Sequence, residues 1–193
     1  MSTVYRSNTY VPEIVQVSKT LAKKYNFNNS CSDEIGRLLS VLVGQVQLGK
    51  ILEIGTGFGV GSSWILSAIA PSVKFISVDN SKDKIDLTSN NIIHKQAKFV
   101  YGDWKDIIGS GPFQFIFADA AVAKIAEGES VFDILEIGGL LLMDDFTPEE
   151  HFPEEWKGEP DEVREFWLNH PNLAATEIYL TPTSSAILAT RIK

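Results

Sequence analysis

The chain has 193 residues, 44% of them apolar, which is enough for a packed core and close to the size of one domain. Its net charge of −8, from 25 acids against 17 bases, repels phosphate backbones and argues against a nucleic-acid partner. A single cysteine, Cys31, excludes an intrachain disulfide and suits a cytoplasmic setting; residues 1–10 show no apolar signal segment, and no run approaches the ~20 apolar residues of a membrane span.

Pro12 opens a helical stretch that places Ile14, Val17, Leu21 and Tyr25 on one face. A polar break, Asn26 to Ser32, follows. Ile35, Leu38, Leu39, Leu42, Val43 and Val46 then repeat at helical spacing, with Ser32 as N-cap and Asp33 and Glu34 in the first turn. Beyond Lys50 the pattern becomes short, continuous apolar runs: Ile51 to Ile54, Val73 to Val78, Phe99 to Tyr101, Phe113 to Ala118 and Leu140 to Met143. Continuous apolarity is what strands buried on both faces require. Helical stretches separate them, Ser62 to Ala70 (stopped by Pro71), Lys82 to Ile93 and Ala126 to Glu136. This alternation predicts βαβ units and a parallel sheet. Leu173 to Leu180 and Ala186 to Ile192, joined by a short Thr-Pro-Thr-Ser turn, predict a closing antiparallel hairpin. The fold class is therefore α/β, a doubly wound and mostly parallel sheet. One unit spans 1–193, with helices over 1–49 and the sheet core over 50–193.

Open α/β sheets bind ligands beyond the carboxyl ends of their strands. Here the first strand ends in Glu53 and the loop Gly55-Thr56-Gly57-Phe58-Gly59, the second at Asp79-Asn80 and the third at Gly102-Asp103. The fourth ends at Asp119 and the fifth at Asp144-Asp145. Five successive strands thus deliver glycine or a carboxylate to one edge, more than a general tolerance of acids at strand ends explains.

The glycine loop permits a tight turn and close approach of backbone to a ligand. Its spacing is not the G-x-G-x-x-G of dinucleotide sites, since Val60 and Ser62 stand where a last glycine is needed. The run from Gly44 to Lys50 imitates a phosphate loop, but it ends in Ile51 and precedes a strand. Asp79 lies at the distance suited to ribose hydroxyls, and Asp103 at a position to take an exocyclic amine. Trp104 either stacks on an adenine or packs an adjacent helix. No basic residue converges on the loop. These groups describe a site for an adenosine without phosphates.

The run Ile51-Leu52-Glu53-Ile54-Gly55-Thr56-Gly57-Phe58-Gly59 resembles the first motif of class I S-adenosylmethionine-dependent methyltransferases. More narrowly, the chain resembles small bacterial O-methyltransferases related to catechol and caffeoyl-coenzyme A methyltransferases. Phe115 to Ala120 and Gly138 to Asp145 are similar to that family's later motifs in order and spacing. The resemblance implies a Rossmann-like seven-stranded sheet and a small hydroxylated acceptor. It also implies that Glu53, Gly55, Thr56, Gly57 and Gly59 cradle the methionine end of S-adenosylmethionine. By the same resemblance Asp79 and Asn80 bind the ribose, Gly102, Asp103 and Trp104 the adenine, and Asp119 also faces the cofactor. Metal-dependent members hold Mg²⁺ at positions matching Asp119, Asp144 and Asp145, so Mg²⁺ or another divalent cation is an expectation. Asp119, Asp144 and Lys124 are the catalytic candidates. The family's usual lysine position is Val122 here, with Lys124 two residues later. A homodimer is a further expectation of the resemblance.

The three histidines, His94, His151 and His170, lack zinc-ligand spacing. The segment from Thr147 to Asp161, rich in acids and prolines, is either a substrate lid bearing Phe152 and Trp156 or a solvated connection. A nicotinamide-dependent oxidoreductase and a non-catalytic cofactor-binding module are the competing functions.

Overall fold

The computed structural model describes residues 9–125 and 127–193. Most of the segment read for a signal sequence, residues 1–8, lies outside the described residues, as does Ala126. Two helices, α1 (Glu13–Lys24) and α2 (Asp33–Val43), precede the sheet. The core then runs β1 (Gly49–Ile54), α3 (Val60–Leu66), β2 (Val73–Asp79), α4 (Lys82–Asn91), β3 (Ala97–Tyr101) and β4 (Phe113–Ala118). It continues with α5 (Ala121–Ile125), α6 (Gly128–Ile134), β5 (Leu135–Phe146), α7 (Glu162–Asn169), β6 (Leu173–Thr181) and β7 (Ser184–Arg191). No helix among the described residues is long and apolar enough to cross a membrane.

The seven strands form one sheet in the order β3-β2-β1-β4-β5-β7-β6. The first five are parallel, and β7 inserts antiparallel between β5 and β6. Strand order reverses between β1 and β4, where Ile51 lies beside Phe115 and Ile54 beside Ala118. That switch point is where an open α/β sheet forms its crevice.

The unbroken apolar runs follow from burial on both faces. Ile51, Phe115 and Phe117 point to a cluster with Val15, Ile35, Leu39 and Trp64 of α1–α3. Leu52, Ile54, Ile116 and Ala118 point the other way, onto Trp104, Val131 and Trp167. Alternating side chains of β1 and β4 thus feed two cores.

Ser32 caps α2 as expected, its Oγ accepting the Ile35 N–H at 3.2 Å. The buried face of α1 is rotated from the one read in the sequence: Val15, Ser18, Leu21 and Ala22 face inward, while Val17 and Tyr25 are exposed. Ser18 goes inside because its hydroxyl meets that of Ser63 at 2.6 Å, which satisfies both buried groups. Helix α3 ends at Leu66, earlier than expected. The helix read over 126–136 is corrected to α6, because the chain turns into β5 at Leu135. There Gly138 adopts φ +81°, and the register with β4 shifts between Phe113 and Phe115.

Candidate active site

The glycine loop is shaped by its contacts on both sides. Gly55 has φ +104°, and a Cβ there would come within 3.0 Å of the Asp119 carbonyl oxygen. Close approach of the β1 and β4 ends therefore demands glycine. Gly59 begins α3 at φ +79° and packs on Thr88 and Ile92 of α4, away from the cleft. Asp79 braces the loop, its carboxylate accepting the Gly57 N–H at 2.9 Å and the Ser81 N–H at 2.8 Å.

These strand ends enclose a cavity of about 520 Å³. Gly55, Gly57, Asp79 and Asn80 line one side, with Gly102, Asp103 and Trp104 on another and Asp119 and Asp145 across from them. The Trp104 ring is buried in the core cluster, as the packing reading expects, and also forms part of the cavity wall; its N–H donates to Glu127. Asp103 is exposed and caps the turn after β3 by accepting the Lys105 N–H at 2.9 Å.

Glu53, Thr56 and Gly59 do not line this cavity. Glu53 is 1% exposed and lies beneath the loop, where Ser62 and Ser77 donate hydroxyl bonds to Oε2 and Oε1 has no partner among the described residues. Thr56 joins the same network, its hydroxyl 2.6 Å from that of Ser77. Burial pushes the Glu53 carboxyl up to about 8 despite the two hydroxyl donors.

Asp119, Asp144 and Asp145 do converge: one carboxylate oxygen from each lies within 4.8 Å of the others. Two consecutive residues can share one edge because of a bulge. Met143 pairs with Ile187 and Phe146 with Ser185, so β5 carries one residue more than β7, and Asp145 takes φ +62°. Asp144 is buried and accepts the Asp145 N–H at 2.8 Å, while Asp145 is exposed. Burial pushes Asp144 up to about 6. Burial, joined by the Asp144 and Asp145 charges, raises Asp119 well above the usual carboxylate range. Three crowded carboxylates either hold protons or hold a cation. All donors are hard oxygens, a set that fits Mg²⁺ or Mn²⁺ rather than zinc.

Lys124 is buried behind this cluster, and its ammonium donates to the Asp144 carbonyl at 2.6 Å. It lines a neighbouring cavity, whereas Val122 lines the first. Several wall residues had no sequence signal. Phe27 and Asn29 reach the cavity from the break between α1 and α2, and Lys84 reaches it from α4. The absence of a base noted in the sequence is therefore corrected, although the Lys84 ammonium sits 4.8 Å from the Phe27 ring centre. Five acids (Asp79, Asp103, Asp119, Glu127, Asp145) line the cavity against one lysine; Lys105 pairs with Asp103 and Glu127 from outside it and burial favours a proton on Asp119, so the wall is acidic but partly compensated. Such a wall suits a cationic ligand and repels a diphosphate.

Comparison with known proteins bears on the family and the fold. The family described as methyltransferase domain matches residues 46–185. A protein-L-isoaspartate O-methyltransferase of Methanococcus vannielii is 28% identical over 112 residues, 54% of this chain and 53% of that protein. A catechol O-methyltransferase of Mycobacterium tuberculosis is 25% identical over 96 residues, 46% of this chain and 44% of that protein. The chain spans about half the length of the curated relatives it matches. The crystal structure of an O-methyltransferase from Bacillus cereus in complex with SAH superposes with a TM-score of 0.82 at 20% identity, covering 97% of this chain and 96% of that one. At that identity the likeness is one of fold.

Proposed function

The chain belongs to the methyltransferase-domain family, and from that premise we propose that it transfers the methyl group of S-adenosylmethionine to an oxygen of a small hydroxylated acceptor. The observation that carries this reading is the acid-walled cavity at the switch point, where a glycine loop meets Asp79. S-adenosylmethionine is an adenosine without phosphates whose sulfonium and ammonium outnumber its one carboxylate, so its net positive charge suits that wall. When bound, it supplies an electrophilic methyl on a sulfur that leaves as a neutral thioether.

Asp79 holds the ribose hydroxyls, with Asn80 beside it. Asp103 takes the adenine amine, and the Trp104 ring supports the base. Backbone groups of Gly55 and Gly57, with Asp119, take the amino-acid end. On this reading the methyl donor would lie at the end of β1, with the β4 and β5 carboxylates toward the acceptor. Holding the reacting atoms in contact is the largest service the protein renders in such a displacement. The acceptor oxygen must also lose its proton as the C–O bond forms. Asp119, Asp144 and Asp145 would hold a divalent cation, which would supply positive charge to the acceptor oxygen. Without one, Asp119 or Asp144, both raised above the usual carboxylate range by burial, would receive that proton. Lys124 neutralises part of the charge behind them.

A nicotinamide cofactor fits poorly, because its diphosphate would meet a wall on which acids outnumber bases. A non-catalytic binding module is separated by assay. We expect label to pass from methyl-tritiated S-adenosylmethionine to a dihydroxyphenyl acceptor; binding of the cofactor with no transfer to any hydroxylated acceptor refutes the enzymatic reading. A cytoplasmic homodimer working as one catalytic unit completes the proposal, and a monomer by light scattering at high concentration contradicts its dimeric part.

A further inference from the structure

Away from the strand ends, a cavity of about 390 Å³ opens between α1 and α2. Lys19 lines it from α1, Asp33, Glu34 and Arg37 from α2, and Ser30 from the break that joins the two helices. It shares no lining residue with the cavity at the switch point, although Phe27 and Asn29 of the same break line that one.

The polar groups gathered here are donors without acceptors. Among the described residues, four buried side-chain atoms have no hydrogen-bond partner, and three of them, Ser30 Oγ, Arg37 Nε and Trp64 Nε1, belong to this region. The Trp64 N–H abuts α2 beside Arg37, since a Cβ on Gly36 would fall 2.1 Å from Nε1. The Arg37 guanidinium is partly buried, lies 5.9 Å from the Trp64 ring centre and enters no ion pair among the described residues. Guanidinium and indole N–H groups can only donate, and a serine hydroxyl can donate as well. Buried polar groups are rarely left unpaired, so three such donors in one neighbourhood call for an acceptor. The acids of the wall do not supply it. Asp33 accepts from Lys19 at 2.8 Å, and Glu34 is engaged as well. Arg37 is the unspent charge.

We propose that this cavity binds a small oxyanion, a carboxylate or phosphate group held by Arg37 and Ser30. The planar guanidinium fork matches two oxygens of either group. Ser30 directly follows Asn29, so an anion held here fixes the segment that walls the switch-point cavity. Its binding therefore raises affinity for the methyl donor, and the donor raises affinity for the anion by the same factor. The anion site stands independently of the methyl-transfer reading; its effect on the cofactor rests on that reading.

The test follows the Arg37 Nε–H signal and the backbone amide signals of Ser30 to Asp33 in the ¹⁵N-labelled full chain. Sodium phosphate, sodium malonate and sodium chloride are titrated at constant ionic strength. Phosphate or malonate should shift these signals saturably, with half-saturation about tenfold or more below that of chloride, and the tighter of the two tells phosphate from carboxylate. Arg37→Gln should weaken that binding about tenfold or more, and Ser30→Ala about threefold. The chain saturated with S-adenosylhomocysteine should still take up the anion. By calorimetry, the anion should tighten S-adenosylhomocysteine binding about fivefold, a gain absent in Arg37→Gln, whose affinity in chloride buffer should match the wild type. No saturable shift with phosphate or malonate, binding that Arg37→Gln leaves intact, or displacement of the anion by S-adenosylhomocysteine overturns the site. S-adenosylhomocysteine affinity that the anion leaves unchanged or lowers overturns the coupling. Failure of the chain to bind S-adenosylhomocysteine overturns instead the methyl-transfer reading, while the anion titration still decides the site.

Discussion

Glu53→Gln should change how stability depends on pH. Glu53 is 1% exposed, and burial raises its carboxyl from 4.5 to about 8. A raised folded pKa means that the folded state binds the proton more tightly than the unfolded chain. Its contribution is thus fully present below pH 4.5 and is lost as pH climbs through about 8. The full span corresponds to a ceiling of about 5 kcal/mol, of which about 2 kcal/mol falls between pH 6 and 8. Asp119 and Asp144 have the same sign, but both are present in the wild type and the variant, so the difference between the two proteins isolates Glu53. Glutamine keeps a carbonyl oxygen for the Ser62 and Ser77 hydroxyls and cannot ionise. Urea titrations of both proteins from pH 5.5 to 8.5, followed by circular dichroism, should show the wild-type midpoint falling about 1 M further than the variant's between pH 6 and 8. Parallel midpoints over that interval would refute the reasoning, since they would mean Glu53 is ionised in the folded protein at pH 6.

Asp79→Ala should weaken S-adenosylhomocysteine binding tenfold or more, and should cost about 1–3 kcal/mol of stability because the Gly57 and Ser81 N–H groups lose their acceptor. Unchanged affinity in a folded variant would move the cofactor out of this cavity. EDTA should slow methyl transfer and Mg²⁺ restore it, with Asp145→Asn weakening the response; full activity in chelator retires the cation and leaves Asp119 or Asp144 as base. Gly36→Ala should destabilise the fold by about 1–3 kcal/mol, since a Cβ would fall 2.1 Å from Nε1 of the buried Trp64 ring. An unaltered near-ultraviolet spectrum and midpoint would show that α2 can shift to accommodate it.

The sheet was legible because two-sided burial writes itself into consecutive residues, as in Phe115-Ile116-Phe117, whose side chains feed both cores. The carboxylates at the strand ends were legible for a related reason, since a polar residue closing an apolar run marks where the chain leaves the core. The face of α1 was not, because a buried serine looks polar until its partner Ser63, 45 residues away, is known. The same holds for Phe27, Asn29 and Lys84, which reach the cavity through tertiary packing without any local pattern. Glu53 stands in a recognisable motif, yet nothing in that motif reveals that its carboxyl turns beneath the loop toward Ser62 and Ser77. The bulge that aligns Asp144 with Asp145 depends on pairing with β7, so the spacing of the two residues could not disclose it.

The central claim is that the cavity at the switch point holds S-adenosylmethionine. Calorimetric titration of the full chain with S-adenosylhomocysteine, alongside NAD under identical conditions, tests it most directly. The account predicts saturable binding of S-adenosylhomocysteine at one site per chain, lost in Asp79→Ala, and no binding of NAD. Binding of NAD in preference, or S-adenosylhomocysteine binding that Asp79→Ala leaves untouched, would contradict it.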